Sequence, residues 1–258
     1  KKHFYDAHEW FPELSEVVSR PAIKKLWQWV EQFAFRNTSA AYTVSNSIAE
    51  QFELRYHQKV HVIRNVPVKY AMKTSNQKKH EVIYQGNLNV GRGLKEFILA
   101  MPELPSIHLN IVGDGEMKTE LVKLTTELKL NNRVKFLGHM SPEELKLFTQ
   151  TQWLGINLAE NLGLSYWFSL PNKFFDYMMA GIPQLGVKFP EFEKLNNDIE
   201  TALLIDNLQT ITIVDAMKKL LNDELYYQKL KQNNVMAREI YCWQNEEKLL
   251  LDFYNCIL

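Results

Sequence analysis

Six short apolar runs lie between residues 82 and 205, separated by longer segments with helical spacing, and this alternation limits the fold more than any other feature of the chain. The runs are Val82-Ile83-Tyr84, Leu109-Asn110-Ile111-Val112, Val134-Lys135-Phe136-Leu137, Leu154-Gly155-Ile156-Asn157-Leu158, Gln184-Leu185-Gly186-Val187 and Ala202-Leu203-Leu204-Ile205. Between them, Leu94, Phe97, Ile98 and Met101 share a helical face, as do Met117, Leu121, Leu124 and Leu128. Ser141-Pro142-Glu143-Glu144 opens a further helix: Ser caps it, Pro fits the first turn, and the acids suit the positive end of the dipole. Strands alternating with helices of this length predict βαβ units, hence an α/β chain with a Rossmann-like, mostly parallel sheet flanked by helices. Ligands of such sheets sit beyond the carboxyl ends of the strands, so the loops there are where chemistry is sought.

The pattern before residue 80 is similar but shorter. Phe4-Tyr5-Asp6-Ala7, Ala41-Tyr42-Thr43-Val44 and Val60-His61-Val62-Ile63 read as strands, with helices over Pro21 to Phe35 and from the Ser45 cap to about Tyr56. The expected organisation is a first Rossmann-like unit over 1–67, a polar linker over 68–79 carrying Lys69, Lys73, Lys78 and Lys79, a second unit over 80–242, and a terminal helix over 243–258. The chain opens Lys1-Lys2-His3 without an initiator methionine, and two Rossmann-like domains of about 150–200 residues each need more than its 258 residues. The expectation is therefore that the first unit is incomplete.

Thirty basic and 30 acidic side chains leave no formal net charge, which argues against a general nucleic-acid partner. A 46% hydrophobic and 12% aromatic composition is that of a packed protein, not a disordered one. No apolar run approaches the ~18 residues of a membrane span. Cys242 and Cys256 stand apart from any ligand-spaced cluster, so a reducing, cytoplasmic setting and a metal-free chain are expected.

Several runs together carry a resemblance. Val82 to Gly93, Leu109-Asn110-Ile111-Val112-Gly113-Asp114-Gly115, Val134 to His139 and, above all, Leu170-Pro171-Asn172-Lys173-Phe174-Phe175-Asp176-Tyr177-Met178-Met179-Ala180-Gly181-Ile182-Pro183 resemble the nucleotide-binding domain of group 1 glycosyltransferases with the GT-B fold. Tyr5-Asp6-Ala7-His8-Glu9 and Tyr42 to Ala49 are similar to that family's first domain, and Asn65-Val66-Pro67 to its crossing between domains. The resemblance implies a GT-B architecture in which 243–258 crosses back to the first domain. It also implies transfer of a sugar, with retention, from a nucleotide-diphosphate sugar to a saccharide or lipid-linked acceptor in cell-envelope polysaccharide or glycolipid assembly. The donor is a UDP-, GDP- or ADP-sugar, and neither a separate cofactor nor a metal is expected.

The residues support particular roles. Gly86 and Gly91-Arg92-Gly93 lie where a strand gives way to a helix, so backbone N–H groups are free to approach an anion, and Arg92 adds a planar charged fork. The family usually has an arginine directly after the first glycine, where this chain has Asn87. A glycine-rich turn with a solvated arginine is the alternative. Asn172 and Lys173 open a helix after Pro171, offering amide donors and an ammonium to a diphosphate. Asp176 matches the family's second glutamate, which accepts from the ribose hydroxyls; a plain surface charge is the other reading. The family's first glutamate falls at Phe168, and Glu160 or Asn161 are the nearby polar substitutes. The Gly113 loop is implied to flank the nucleotide, and His139 either borders the base or is a bystander. His8 is implied to meet the donor near the reacting centre, making it the one catalytic candidate.

The segment from Arg20 to Phe33 mixes aromatics with basic residues. Its favoured reading is a helix covering the sheet with Leu26, Trp27, Val30 and Phe33; the other is peripheral contact with the inner face of a membrane. Two further functions compete with transfer. One is a nucleotide-binding fragment or non-catalytic subunit, and the other a GT-B sugar-nucleotide epimerase, which would release free sugar without an acceptor.

Overall fold

The computed structural model describes residues 2–72 and 80–256. Two parallel sheets organise the chain. The first unit runs β1 (Phe4–Ala7), α1 (Ser15–Val18), α2 (Pro21–Asn37), β2 (Ala40–Thr43), α3 (Asn46–Tyr56) and β3 (Val60–Val62), with sheet order β1-β2-β3. The second unit runs β4 (Glu81–Gln85), α4 (Leu94–Ala100), β5 (His108–Val112), α5 (Lys118–Glu127), β6 (Val134–Gly138), α6 (Pro142–Gln150), β7 (Leu154–Asn157), α7 (Leu164–Trp167) and α8 (Asn172–Ala180). It continues through β8 (Gln184–Val187), α9 (Pro190–Asp198), β9 (Ala202–Ile205), α10 (Thr210–Asn222) and α11 (Glu224–Ile240), and the chain then forms α12 (Trp243–Asn255).

The second sheet has the order β6-β5-β4-β7-β8-β9, every pair parallel, so the connections reverse direction between β4 and β7. That reversal leaves a crevice beyond the carboxyl ends of these two strands, where α8 also begins. β7 and β8 are buried along their whole length, so they are mainly apolar, and their two buried amides, Asn157 and Gln184, pair with each other at 3.3 Å. Tyr177 of α8 lies flat on β7: a Cβ on Gly155 would come within 2.4 Å of its ring, so only glycine fits there. The Tyr177 hydroxyl accepts from Gln85 N at 3.2 Å and stands 3.2 Å from the Ile156 carbonyl oxygen, fixing α8 against both central strands. α6 begins with a full capping box, Ser141 and Glu144 each bonding the other's backbone N–H, at 3.3 and 3.0 Å.

α2 corrects the expectation for the aromatic segment. Leu26, Trp27 and Phe33 do not cover the sheet: they are 57%, 38% and 57% exposed, and Trp29 beside them is 61% exposed. The helix instead buries Glu31 and Phe35. Glu31 is held there by Arg55 at 3.4 Å and by the Tyr56 hydroxyl, while Phe35 stacks on Tyr56 at 4.2 Å.

Of the linker, residues 73–79, with Lys73, Lys78 and Lys79, lie outside the described residues. The preceding part is strapped to α11: Lys69 pairs with Glu239 at 2.8 Å, and Arg238 donates to the Tyr70 carbonyl. α12 lies against the first unit, with Phe253 meeting the rings of Phe4, Tyr42 and His61 at 5.9, 5.3 and 5.1 Å. Among the described residues no helix is long and apolar enough to cross a membrane.

Candidate active site

Two cavities meet at the crevice. The larger, of about 650 Å³, lies between the units, with His8 and Glu9 on one side and Arg92, Tyr166, Ser169 and Asn172 on the other. The smaller, of about 270 Å³, lies within the second unit over the end of β4 and the start of α8, and is lined by Tyr84, Gly86, Asn87, Lys173 and Asp176 among others. Arg92, Pro171 and Asn172 line both. The structure thus brings together His8, Gly86, Asn87, Arg92, Asn172, Lys173 and Asp176.

Each is placed by local structure. Pro171 stands at the N-cap of α8 with extended backbone and no side-chain cap, so the first amides of the helix are left for a ligand. Arg92 follows β4 and rests over the Tyr166 ring, 5.6 Å from its centre. Lys173 Nζ lies 3.9 Å above the Tyr84 ring centre, and the Tyr84 hydroxyl is anchored to the Asn87 carbonyl at 2.7 Å. Burial, helped by the Arg92 charge, pushes the Lys173 ammonium down to about 7, against the pull of Asp176. Burial pushes Asp176 up to about 6, opposed by a hydrogen bond from Gln85 and by Lys173 and Lys146. Gln85 Nε2 donates to Asp176 at 3.0 Å, and Thr149 donates to Gln85 Oε1 at 2.9 Å, so the carboxylate is aimed by a relay from α6. His8 Nε2 lies 3.1 Å from Asp6, whose carboxylate also accepts from Tyr42 at 2.8 Å.

Gly113 and His139 line neither cavity. A Cβ on Gly113, at φ 135°, would fall 2.0 Å from the Gly86 carbonyl oxygen, so this glycine lets two strand ends abut. His139 is exposed, and the Asp114 carboxylate is held below the usual range chiefly by hydrogen bonds from Lys118 and the Gly115 amide. Phe168 packs its ring 6.3 Å from Trp10 of the first unit, and its carbonyl accepts from Ser45 at 3.1 Å. Glu160 and Asn161 line a neighbouring groove with Lys188 and Asp206, and the Glu160 amide donates to the Gly91 carbonyl at 3.0 Å, beside Arg92.

Sequence reasoning missed Gln85, Thr149 and Tyr166. Tyr166 had one usable signal, its place five residues before Pro171, in the segment that leads into α8.

A sequence model of the family described as Glycosyl transferases group 1 matches residues 70–235. The chain belongs to the group 1 glycosyl transferases. The lipopolysaccharide core biosynthesis glycosyltransferase LpsE of Rhizobium meliloti is 29% identical to it, over 96% of this chain and 74% of that protein. A probable sucrose-phosphate synthase 1 of Oryza sativa is 25% identical, over 59% of this chain but only 14% of the synthase. Among solved structures, Anabaena HepE in complex with UDP and glucose superposes with a TM-score of 0.78 at 16% identity, covering 98% of this chain and 72% of HepE. The pneumococcal O-GlcNAc transferase GtfA, in complex with UDP and GlcNAc, gives 0.72 at 12% identity, covering 87% of this chain. The chain spans 46% of GtfA, less than half of its length. Likeness at these identities establishes the fold: this group 1 chain has the GT-B architecture of glycosyltransferases.

Proposed function

We propose that this chain transfers a sugar from a UDP-sugar to a saccharide or lipid-linked acceptor, with retention, in the assembly of a cell-envelope glycolipid or polysaccharide. The observation that carries the reading is the strait at Arg92, Pro171 and Asn172, which joins the two cavities. In this reading the nucleotide occupies the smaller cavity, with Asp176 accepting from the ribose and the diphosphate between Lys173, Arg92 and the first amides of α8. The sugar then projects into the larger cavity toward His8.

Breaking the bond between the sugar and the diphosphate places negative charge on the departing oxygen. Arg92, Lys173 and the helix terminus are fixed where that charge develops, which is how preorganised dipoles and cations lower such a barrier. His8, oriented by Asp6, stands on the opposite wall, where it hydrogen-bonds the sugar or the leaving phosphate. The acceptor hydroxyl enters on the face the diphosphate leaves, and holding the two together supplies the rest of the acceleration. UDP is favoured as the nucleotide because HepE and GtfA are described with UDP bound. A lipid-linked acceptor agrees with the role printed for LpsE. It would also give the outward aromatic face of α2, with Lys25 and Arg36, a membrane surface to rest on.

The test is thermal stabilisation by UDP-, GDP- and ADP-sugars, followed by turnover of the tightest donor with and without saccharide and lipid acceptors. Stabilisation by UDP-sugars with acceptor-dependent release of UDP is expected. Release of free sugar without acceptor would turn the reading to an epimerase, and absence of stabilisation by any of the three would sink it.

A further inference from the structure

The two cations of the site have an unusual environment. Neither Arg92 nor Lys173 has an ion pair with a carboxylate among the described residues; each lies on a tyrosine ring, Arg92 on Tyr166 and Lys173 on Tyr84. We propose that Tyr166 is a positioning residue whose ring seats the Arg92 guanidinium at the strait between the cavities, ready for a diphosphate. The proposal rests on the nucleotide-sugar reading above.

The chemistry of the guanidinium favours this seat. Its N–H donors point outward in the plane of the group, whereas stacking uses the face. A carboxylate partner would occupy the fork and cancel its charge; an aromatic face holds the cation and leaves the fork free. Charge development at a leaving diphosphate then meets a group that needs no reorganisation.

Tyr166 is itself held. It sits in the single turn of α7, and its carbonyl accepts from the Ser169 hydroxyl at 2.8 Å and the Ser169 amide at 3.2 Å. Its ring abuts the loop that carries Arg92: a Cβ on Gly91 would stand 3.6 Å from Tyr166 Cε1. The ring therefore faces the guanidinium, which lies 5.6 Å from the ring centre, and borders the backbone beside it, while Tyr166 itself lines the larger cavity. Lys173 over Tyr84, whose hydroxyl donates to the Asn87 carbonyl, repeats the arrangement, so both cations are seated on rings.

The experiment is a double-mutant cycle read by calorimetric affinity for UDP, on the wild-type chain, Tyr166→Leu, Tyr166→Phe, Arg92→Ala and the Tyr166→Leu/Arg92→Ala pair. Tyr166→Leu is expected to weaken UDP about fivefold to tenfold, the reach of one partly desolvated cation–π contact. Tyr166→Phe should restore most of that loss, because the ring and not the hydroxyl forms the seat. In the Arg92→Ala background, Tyr166→Leu should change affinity less than about twofold, since coupled residues are not additive. An undiminished affinity in Tyr166→Leu, or an equal loss with and without Arg92, overturns the proposal while UDP binding by the wild type preserves the nucleotide reading. A wild-type chain that binds none of UDP, GDP or ADP overturns both.

Discussion

The carboxylate of Glu191, in the second unit, accepts from the backbone amides of Ser47 and Asn46, in the first, at 2.7 and 3.2 Å. It is fully buried, and it closes the N-terminus of α3 from outside that helix's own unit. Lys194, one turn along α9, adds a 2.7 Å pair to Glu50 of the same helix. The two units are therefore clasped by a charge placed on a helix dipole.

Removing that clasp leaves the buried Ser47 amide and the half-buried Asn46 amide without that acceptor, the buried one worth about 1–3 kcal/mol. Glu191→Ala should lower stability by roughly 2–4 kcal/mol, with Glu191→Gln in between, as read from urea unfolding. A change within about 0.5 kcal/mol, the usual span of a surface substitution, would show that the clasp is dispensable.

Arg92→Ala should weaken UDP binding by about 1.5–3 kcal/mol, the usual worth of a hydrogen bond to a charged group. Calorimetry checks this, and unchanged affinity would remove Arg92 from the diphosphate site.

Lys173 gives the site a pH dependence. The ammonium, held near 7 by burial and by Arg92, must be protonated to pair with a diphosphate. UDP affinity should fall as pH rises from about 6.5 to 8.5, and binding at about pH 8 should take up a proton, visible as a dependence of binding heat on the buffer's ionisation enthalpy. A heat independent of buffer would place Lys173 elsewhere. The same group affects stability in the opposite sense. Its folded value lies below the ordinary 10.5, so between those two values the unfolded chain binds more protons and stability rises with pH. Lys173→Met should thus raise the unfolding midpoint most near pH 6 and least near pH 10, while UDP binding is lost.

Asp176→Asn should cost a ribonucleotide more than its 2′-deoxy analogue, since the carboxylate is proposed to accept from the ribose hydroxyls. The expected difference is about tenfold or more, within the range of a charged hydrogen bond. Equal losses with both ligands would argue against a ribose role.

The second sheet was legible because strands buried on both faces are mainly apolar, as in Leu154–Asn157 and Gln184–Val187, whose two buried amides, Asn157 and Gln184, satisfy each other at 3.3 Å. The cap at Ser141 was legible because its partners lie within four residues. α2 was misread because spacing reveals an apolar stripe but not the direction in which it faces. Here the inward face carries Glu31, held by Arg55 and Tyr56, together with Phe35, and the more apolar residues face out. The site residues beside glycines and at the start of α8 could be named from local pattern. Their supports could not: Thr149 reaches Gln85 across 64 positions, and Glu191 reaches Ser47 across 144. No local periodicity encodes such pairs.

The backbone crosses between the units twice at one place. Trp243 N donates to the Pro67 carbonyl at 3.0 Å as the outgoing chain passes the incoming one, and Glu246 accepts from Arg64 N at 2.8 Å just beyond. A single crossing would leave the second unit free to swivel about it in any direction. Two crossings tied side by side resist torsion about either one. Together with the Glu191 clasp, these paired crossings hold the walls carrying His8 and Arg92 in one register across the larger cavity.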